Sequence, residues 1–374
     1  MRERDDGEVL DAQLIAADHK SAANSLLDWL ETQPDFASVN AVGHRVVHGM
    51  KHTEPEIVTQ ELLDELHRIA QYDPEHLPRE IELIEAFRQR HPKLPQLACF
   101  DTAFHQTMPE HAYLYPLPYD WYENFGVRRY GFHGTSHLYV SKRAAVLLGK
   151  PASECNIVTM HIGNGVSHAA IKNGISVDTS MGLTPLEGAV MGTRCGDIDP
   201  AIPAFMMQKE NLSAKEIDSI LNKKSGVLGI TGRFTDRRDV IEHADKGDRL
   251  CKLALDIEAY RLKKYIGSYM AAVGRLDAVV FTAGVGEMGW PIRERAIEGL
   301  EQLGIHLDKE RNKGAMTRKR ETLITTDDSP VKVYVIPTDE ELVFTEDVVA
   351  ILNGTYTDHM QFEYTFARAD FVRK

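Results

Sequence analysis

Residues 128–200 concentrate side chains suited to handling a phosphoryl group. The stretch contains RRYGFHGTSH, then HIGNGVSHAAIKNG, then DTSMGLTPLEGAVMGTRCGDIDP. Glycines, hydroxyls, histidines and an arginine sit in the connections around short apolar runs. A glycine lets backbone approach a ligand closely, and its N–H can then point at a phosphate oxygen. Arginine and histidine add donors and positive charge where phosphate charge builds up. One such loop reads as an ordinary turn in a glycine-rich core. Three in one span predict a phosphoryl-transfer site.

The elements that must position these groups are short. SVNAVGHRVVHG reads as a buried strand running into a glycine turn, and LPQLACFDTAFH as a second one ending in polar residues. NIVTMHI, VSHAAIK and ISVDTS are β-rich runs joined by GNG and NG, which predicts a meander. DAVVFTAGVGE reads as a strand ending in a glycine turn, and VKVYVIPTDEEL as one ending in carboxylates. Helical spacing places Ala23, Leu26, Leu27 and Leu30 on one face, and does the same for Ile81, Ile84 and Phe87. LSAKEIDSILNK is a further helix, and Leu255, Leu262, Ile266 and Tyr269 mark another. Polar residues thus recur at the C-terminal ends of apolar strands, where open α/β sheets bind ligands.

The chain has 374 residues, enough for about two domains. Hydrophobic content of 43% and charged content of 26% fit a globular protein. Net charge is −13 and no long basic block occurs, which argues against nucleic acid as a partner. The four cysteines (Cys99, Cys155, Cys195, Cys251) lack metal-ligand spacing and suit a reducing compartment. The opening MRERDDGEVLDAQL has no apolar core, and no run reaches membrane-spanning length. The expected location is the cytoplasm.

GHRVVHG, CFDTAFH, RRYGFHGTSH, HIGNG, DTSMGLTPLEG, MGTRCGDIDP, FTAGVGE and IPTDEEL occur in the order found in acetate kinases. From about Gly43 to Leu342 the sequence resembles the acetate/propionate kinase family. The resemblance implies the α/β two-domain fold shared with sugar kinases, actin and the Hsp70 ATPase domain (ribonuclease H-like). It divides the chain into an acyl-substrate-side domain, 1–103, completed by about 342–374, and a nucleotide-binding domain, 104–341. It also implies ATP and Mg2+, with Mn2+ as a substitute, in reversible phosphorylation of acetate or another short carboxylate such as propionate, by a homodimer.

By the same resemblance Arg45 and Arg194 match the two catalytic arginines, Arg45 also facing substrate. His133 matches the histidine that contacts the moving phosphoryl group. Asp101 and Glu340 match the metal carboxylates. His76, Asp101 and Arg194 match groups that support the transition state. His161, Asn164 and Gly165 match the nucleotide-phosphate loop. Gly284, Val285 and Gly286 match the adenosine-site turn. Asp236, Arg237 and Arg238 fall where adenine and ribose approach, although relatives often carry an aromatic at the Arg237 place. Val47, Phe132 and Pro185 match the pocket for the acyl methyl group, and the same residue types would equally serve as plain core.

The chemistry asks little covalent help of these residues. Transfer to a carboxylate passes through a loose, planar arrangement, so catalysis is alignment plus neutralisation of the equatorial oxygens. Acetate is already ionised near neutral pH, so His133 is expected to stabilise rather than abstract a proton. His137 could be packing or site support. Magnesium takes few carboxylates and keeps several waters, which suits Asp101 and Glu340. TDEEL is also a good helix-capping sequence, and Glu341 competes with Glu340 for the metal role.

Three features depart from the family pattern. Glu75 falls where an apolar pocket residue is usual, so it points to solvent or the acceptor is not plain acetate. Cys195 lies between Arg194 and Gly196, and a neighbouring guanidinium would favour its thiolate. No N-x-G-S-S-S-x-K loop occurs, and residues 1–24 resemble material downstream of that hairpin. The expected consequence is an incomplete N-terminal sheet and a rival reading: a nucleotide-binding protein with impaired catalysis.

Overall fold

The computed structural model describes residues 18–316 and 318–373. Most of the opening segment, residues 1–17, lies outside the described residues. Two sheets organise the rest. Strands β1 (Val42–Val46), β2 (Glu56–Ile57) and β3 (Gln96–Phe100) form a three-stranded sheet in the order β1-β3-β2. Strands β4 (Asn156–Ile162), β5 (Val166–Lys172), β6 (Ile175–Thr179), β7 (Ala278–Thr282), β8 (Thr322–Leu323) and β9 (Lys332–Val335) form a six-stranded sheet in the order β6-β5-β4-β7-β9-β8. The β4–β5–β6 meander is antiparallel, as its turn residues predict. Strands β4, β7 and β9 are parallel, as are β1 and β3, so their C-terminal ends share an edge.

Period-two alternation sorts the apolar side chains between the faces of each sheet. In the small sheet Val46, Ala98 and Phe100 face a cluster with Leu62, Leu66, Ile81 and Ile84, from the helices Gln60–Ile69 and Leu77–Arg90. Leu97 and Cys99 face the other way, onto Val348 of the helix Glu340–Leu352. In the large sheet Val158, Met160, Val279, Phe281 and Val333 pack with Leu255, Leu262, Ile266 and Tyr269 of the helix Arg249–Val273. Ile157, Ala278, Val280 and Tyr334 pack on the opposite face with Leu138 and Tyr139 of the helix Gly134–Leu148. Full burial of each large apolar side chain contributes about 1.5–3 kcal/mol.

Three sequence expectations need adjustment. The first helix, His19–Glu31, buries Ala23 and Leu27 but leaves Leu26 38% exposed. It packs against the helix Leu77–Arg90 at the rim, so a narrower stripe is covered. Gly284–Gly286 do not form a turn: after β7, Ala283 takes a left-handed φ of 64° and the chain enters the helix Ala283–Met288. The C-terminal segment assigned to the small sheet is shared. The helix Glu340–Leu352 reaches β1, but Tyr364 and Phe366 join the cluster on the large sheet. There Phe366 packs on Tyr139 with ring centroids 4.7 Å apart, and Arg143 Nη1 donates to the Phe366 carbonyl.

Candidate functional site

The strand ends meet in a cleft between the two sheets. Arg45, on β1, reaches Asp101, the residue after β3: Nε and Nη2 donate to the two carboxylate oxygens at 2.9 and 2.6 Å. Asp101 is fully buried, whereas the Arg45 side chain is 42% exposed. The guanidinium is therefore clamped at its back and open to the cleft. Asp101 Oδ2 also accepts the His133 backbone N–H at 3.3 Å, and the Asp101 carbonyl accepts that of Gly134 at 2.9 Å. A side chain at Gly134 would overlap that carbonyl, so only glycine permits this junction between the sheets.

His133 stands just before the helix Gly134–Leu148 with φ 56°, a left-handed conformation uncommon for a residue with a side chain. Its ring stacks on His161 at 4.0 Å, and Nδ1 lies 2.8 Å from Ser167 Oγ. Ser167 Oγ also lies 2.8 Å from His137 Nε2, and His137 Nδ1 is 2.7 Å from Thr159 Oγ1. Two opposite tautomer assignments satisfy this chain; in the one that leaves a donor on the His133 nitrogen beside Gly165, Thr159 donates to His137, His137 to Ser167, and Ser167 to His133 Nδ1. His133 then carries its proton on Nε2. Burial first, then neighbouring His161 and Arg45, hold its pKa well below the usual histidine range, so the ring is neutral. His137 is thus site support.

Gly165, in the loop after β4, marks where these groups converge. A Cβ placed there would lie 3.4 Å from His133 Cε1, 3.6 Å from His133 Nε2 and 3.5 Å from Arg194 Nη1. Arg194 Nη1 donates to the Pro185 carbonyl at 2.9 Å. Arg194, Pro185, Glu75 and His76 line a cavity of about 210 Å³ with Tyr72, Asp73 and Lys223. Val47 and Phe132 do not line it; both are buried in the core of the large sheet. Glu75 is exposed at the rim of this cavity and pairs there with Lys223 at 2.8 Å, the solvent-facing alternative. Asp73 holds His76 at 2.9 Å, and that bond raises the His76 pKa.

Glu340 sits behind Arg45 and Asp101. The capping role foreseen for TDEEL falls to Asp339, whose side chain accepts the Leu342 N–H. Glu340 Oε1 is buried without a hydrogen-bond partner, and burial followed by the Asp101 charge lifts its pKa to about 7. Glu341 is exposed. A buried carboxylate with an idle oxygen beside a second carboxylate fits a hard divalent cation. Among the described residues no cluster of three ligating side chains occurs. Both Asp101 oxygens already bind Arg45, so Glu340 is the freer ligand of the two.

The nucleotide-side residues line a second cavity, of about 740 Å³. Gly163, Asn164, Asp236, Arg237, Arg238, Gly284 and Val285 form its walls, closed by Ile241, Trp290, Pro291 and Arg318. Arg238 is held by Asp236 and lies at the surface. Arg237, whose place relatives often fill with an aromatic, is held from behind the wall. Its guanidinium is buried against Glu258, with Nη2 donating at 2.8 Å, and stiffens the wall from behind. Gly286 and His161 stand back from the cavity; His161 Nδ1 meets Ser136 Oγ at 2.8 Å.

The Cys195 expectation is overturned. Burial pushes the thiol up rather than down, and Sγ donates to the Gly196 carbonyl at 3.2 Å. The Arg194 guanidinium turns to Pro185 and does not reach the sulfur. Sequence reasoning also missed Glu80, which accepts the Val47 N–H at 3.0 Å and is lifted to about 7 mainly by burial. Ser167 and Thr159 were legible in principle, since alternation along β5 and β4 puts them on the face of the helix Gly134–Leu148.

The sequence pattern described as the acetokinase family matches residues 2–346. The chain is 78% identical to the acetate kinase of Geobacter sulfurreducens over 91% of its own length and 81% of that protein. It is 79% identical to the acetate kinase of Trichlorobacter lovleyi over 95% of its length and 86% of that one. Among solved structures, the acetate kinase of Porphyromonas gingivalis superposes with a TM-score of 0.85 at 42% identity, covering 93% of this chain and 88% of that one. A propionate kinase from Francisella tularensis gives 0.83 at 42% identity, covering 88% and 83%.

Proposed function

The chain belongs to the acetokinase family, and from that premise we propose that it transfers the terminal phosphoryl group of ATP reversibly to acetate, giving acetyl phosphate and ADP. It is a phosphotransferase with a carboxyl group as acceptor, built on the two-part α/β fold of acetate kinases. The observation that carries the reading is the convergence of Arg194 Nη1 and His133 Nε2 on Gly165, opposite the clamped Arg45.

In the forward reaction an acetate oxygen attacks the terminal phosphorus and the bond to the ADP oxygen breaks. Acetate is ionised at neutral pH, so no base is needed. Arg45 and Arg194 present fixed donors to the equatorial oxygens, and neutral His133 donates from Nε2. His76, held by Asp73, supports the same charge from the acyl side. The neutral ring costs less to keep buried than a cation would. Glu340 would hold Mg2+, with Asp101 contributing through its remaining lone pairs. When bound, the ion neutralises phosphate charge. ATP occupies the cavity walled by Asn164, Gly284, Val285, Trp290 and Arg238.

Relatives named for acetate reach 73–79% identity, against 42% for the solved structure named for propionate, which favours acetate as acceptor. The preorganised donors argue against a merely nucleotide-binding role. We further assign the protein to the cytoplasm, where its four free thiols are stable, and to a homodimer. The helix Ala201–Glu210 buries no residue and exposes Ile202 and Phe205, which supports association. The test is trapping of acyl phosphate by hydroxylamine with Mg-ATP and acetate or propionate. Acetate hydroxamate should form faster; none from either acid overturns the reading.

A further inference from the structure

A third cavity lies away from the cleft, on the outer face of the large sheet. It has a volume of about 190 Å³ and is lined by Leu138, Lys142, Ser153, Ile171, Asn173 and Met360 among others. Lys142 belongs to the helix that begins beside His133. Among the described residues no carboxylate lies within ion-pair distance of its amine. It donates to the Met360 carbonyl at 3.3 Å and lies 5.4 Å from the centre of the Tyr364 ring. Asp358 is the nearest charge that favours the ammonium, and His359 faces the same amine.

We propose that Lys142 is a site of self-acylation by the acyl phosphate that the protein makes. The proposal rests on the acetyl phosphate reading above. The amine nitrogen attacks the acyl carbon, the bond from that carbon to the phosphate oxygen breaks, inorganic phosphate leaves and one proton goes to solvent. An amide on Lys142 results, with no oxidant or further reactant. Only an unprotonated amine can attack. Burial draws Lys142 from 10.5 down to about 8, opposed only by Asp358. Near neutral pH its neutral fraction therefore exceeds that of an exposed lysine by on the order of a hundred-fold. Lower basicity weakens each attack, but by less than this gain. The cavity supplies room beside the nitrogen, with Ser153 and Asn173 as polar groups on its wall.

The experiment is incubation of the purified protein with synthetic acetyl phosphate, without ATP, followed by digestion and mass spectrometry. Exposed Lys172 and Lys215 serve as internal standards. Lys142 should be acetylated about ten-fold faster or more at pH 7.5, and its rate should level off above pH 8 while the standards keep rising. Labelling no faster than the standards, or a rate still climbing at pH 9.5, overturns the proposal. Because acetyl phosphate is added directly, the result does not depend on turnover. A hydroxamate assay on the same sample reports separately whether the kinase reading holds.

Discussion

The transfer centre and the nucleotide cavity lie side by side but are made differently. In the centre, each polar group is held by another: Arg45 by Asp101, His133 by Ser167, His76 by Asp73. Their partners are all buried. The nucleotide cavity mixes glycine, aliphatic and aromatic wall with the polar Asn164, Asp236, Arg238 and Arg318, and the buried Arg237–Glu258 pair braces that wall from behind. The difference follows from the tasks. Transfer needs donors fixed before charge develops, because reorganisation at that moment would raise the barrier. Nucleotide binding needs close backbone approach and apolar area, which glycine and Trp290 supply at little ordering cost.

Breaking the pair behind the nucleotide wall should give the largest effect. Glu258→Ala leaves Arg237 buried and uncompensated, and should cost about 3–5 kcal/mol of stability. Denaturant unfolding measures this, and a loss under about 1 kcal/mol would show that the wall does not depend on the pair. Arg194→Ala comes next. It should lower kcat by about 10²–10³, or roughly 3–4 kcal/mol, with KM for ATP and the melting temperature little changed. Arg45→Ala should lose similar turnover and also stability, because Asp101 stays buried without its partner. Equal melting temperatures for the two variants would contradict the clamp.

Glu340 sharpens the contrast through pH. Its folded pKa of about 7 lies above the unfolded value near 4.5, so the folded state holds the extra proton. Stability from this group is full below about 4.5 and is lost as pH rises to about 7. Glu340→Gln lacks that loss. In metal-free protein the melting temperature of the variant relative to the parent should therefore rise from pH 5 to pH 7 and then level off. Saturating Mg2+ should stabilise the parent more than the variant. A flat difference across that range would place Glu340 in water. The smallest effect is expected at Glu75. Its outward pairing with Lys223 predicts that Glu75→Leu leaves the ratio of KM values for propionate and acetate nearly unchanged. A shift of about ten-fold toward propionate, larger than one methylene contributes in an apolar pocket, would put residue 75 inside.

The same contrast explains what could be read from the sequence. Strands β3, β4 and β7 are apolar runs buried along nearly their whole length, and the meander turns are explicit, so the two-sheet frame was legible. Arg45, His133 and Arg194 were legible because their motifs are long. The partners that hold them were not. Glu80 lies thirty-three positions from Val47, and their meeting depends on how the helix Leu77–Arg90 seats on the sheet; Asp73 is only three positions from His76, but the loop between them carries no regular spacing that announces the bond. Arg237 lines the larger cavity, but the orientation of its guanidinium is decided by Glu258, twenty-one positions away. Cys195 failed for a related reason: adjacency in sequence to Arg194 does not bring the guanidinium to the sulfur.

The docking of Phe366 on Tyr139 has a consequence in time. Arg143 and the Phe366 carbonyl that it binds are 223 positions apart. A ribosome adding about 5–20 residues per second needs roughly 10–45 s to pass from one to the other. Throughout that interval Tyr139 has been made but lacks the Phe366 ring that covers it. The nascent chain therefore presents an apolar patch to the translation machinery and its chaperones, and the patch closes late, when residues near 366 emerge.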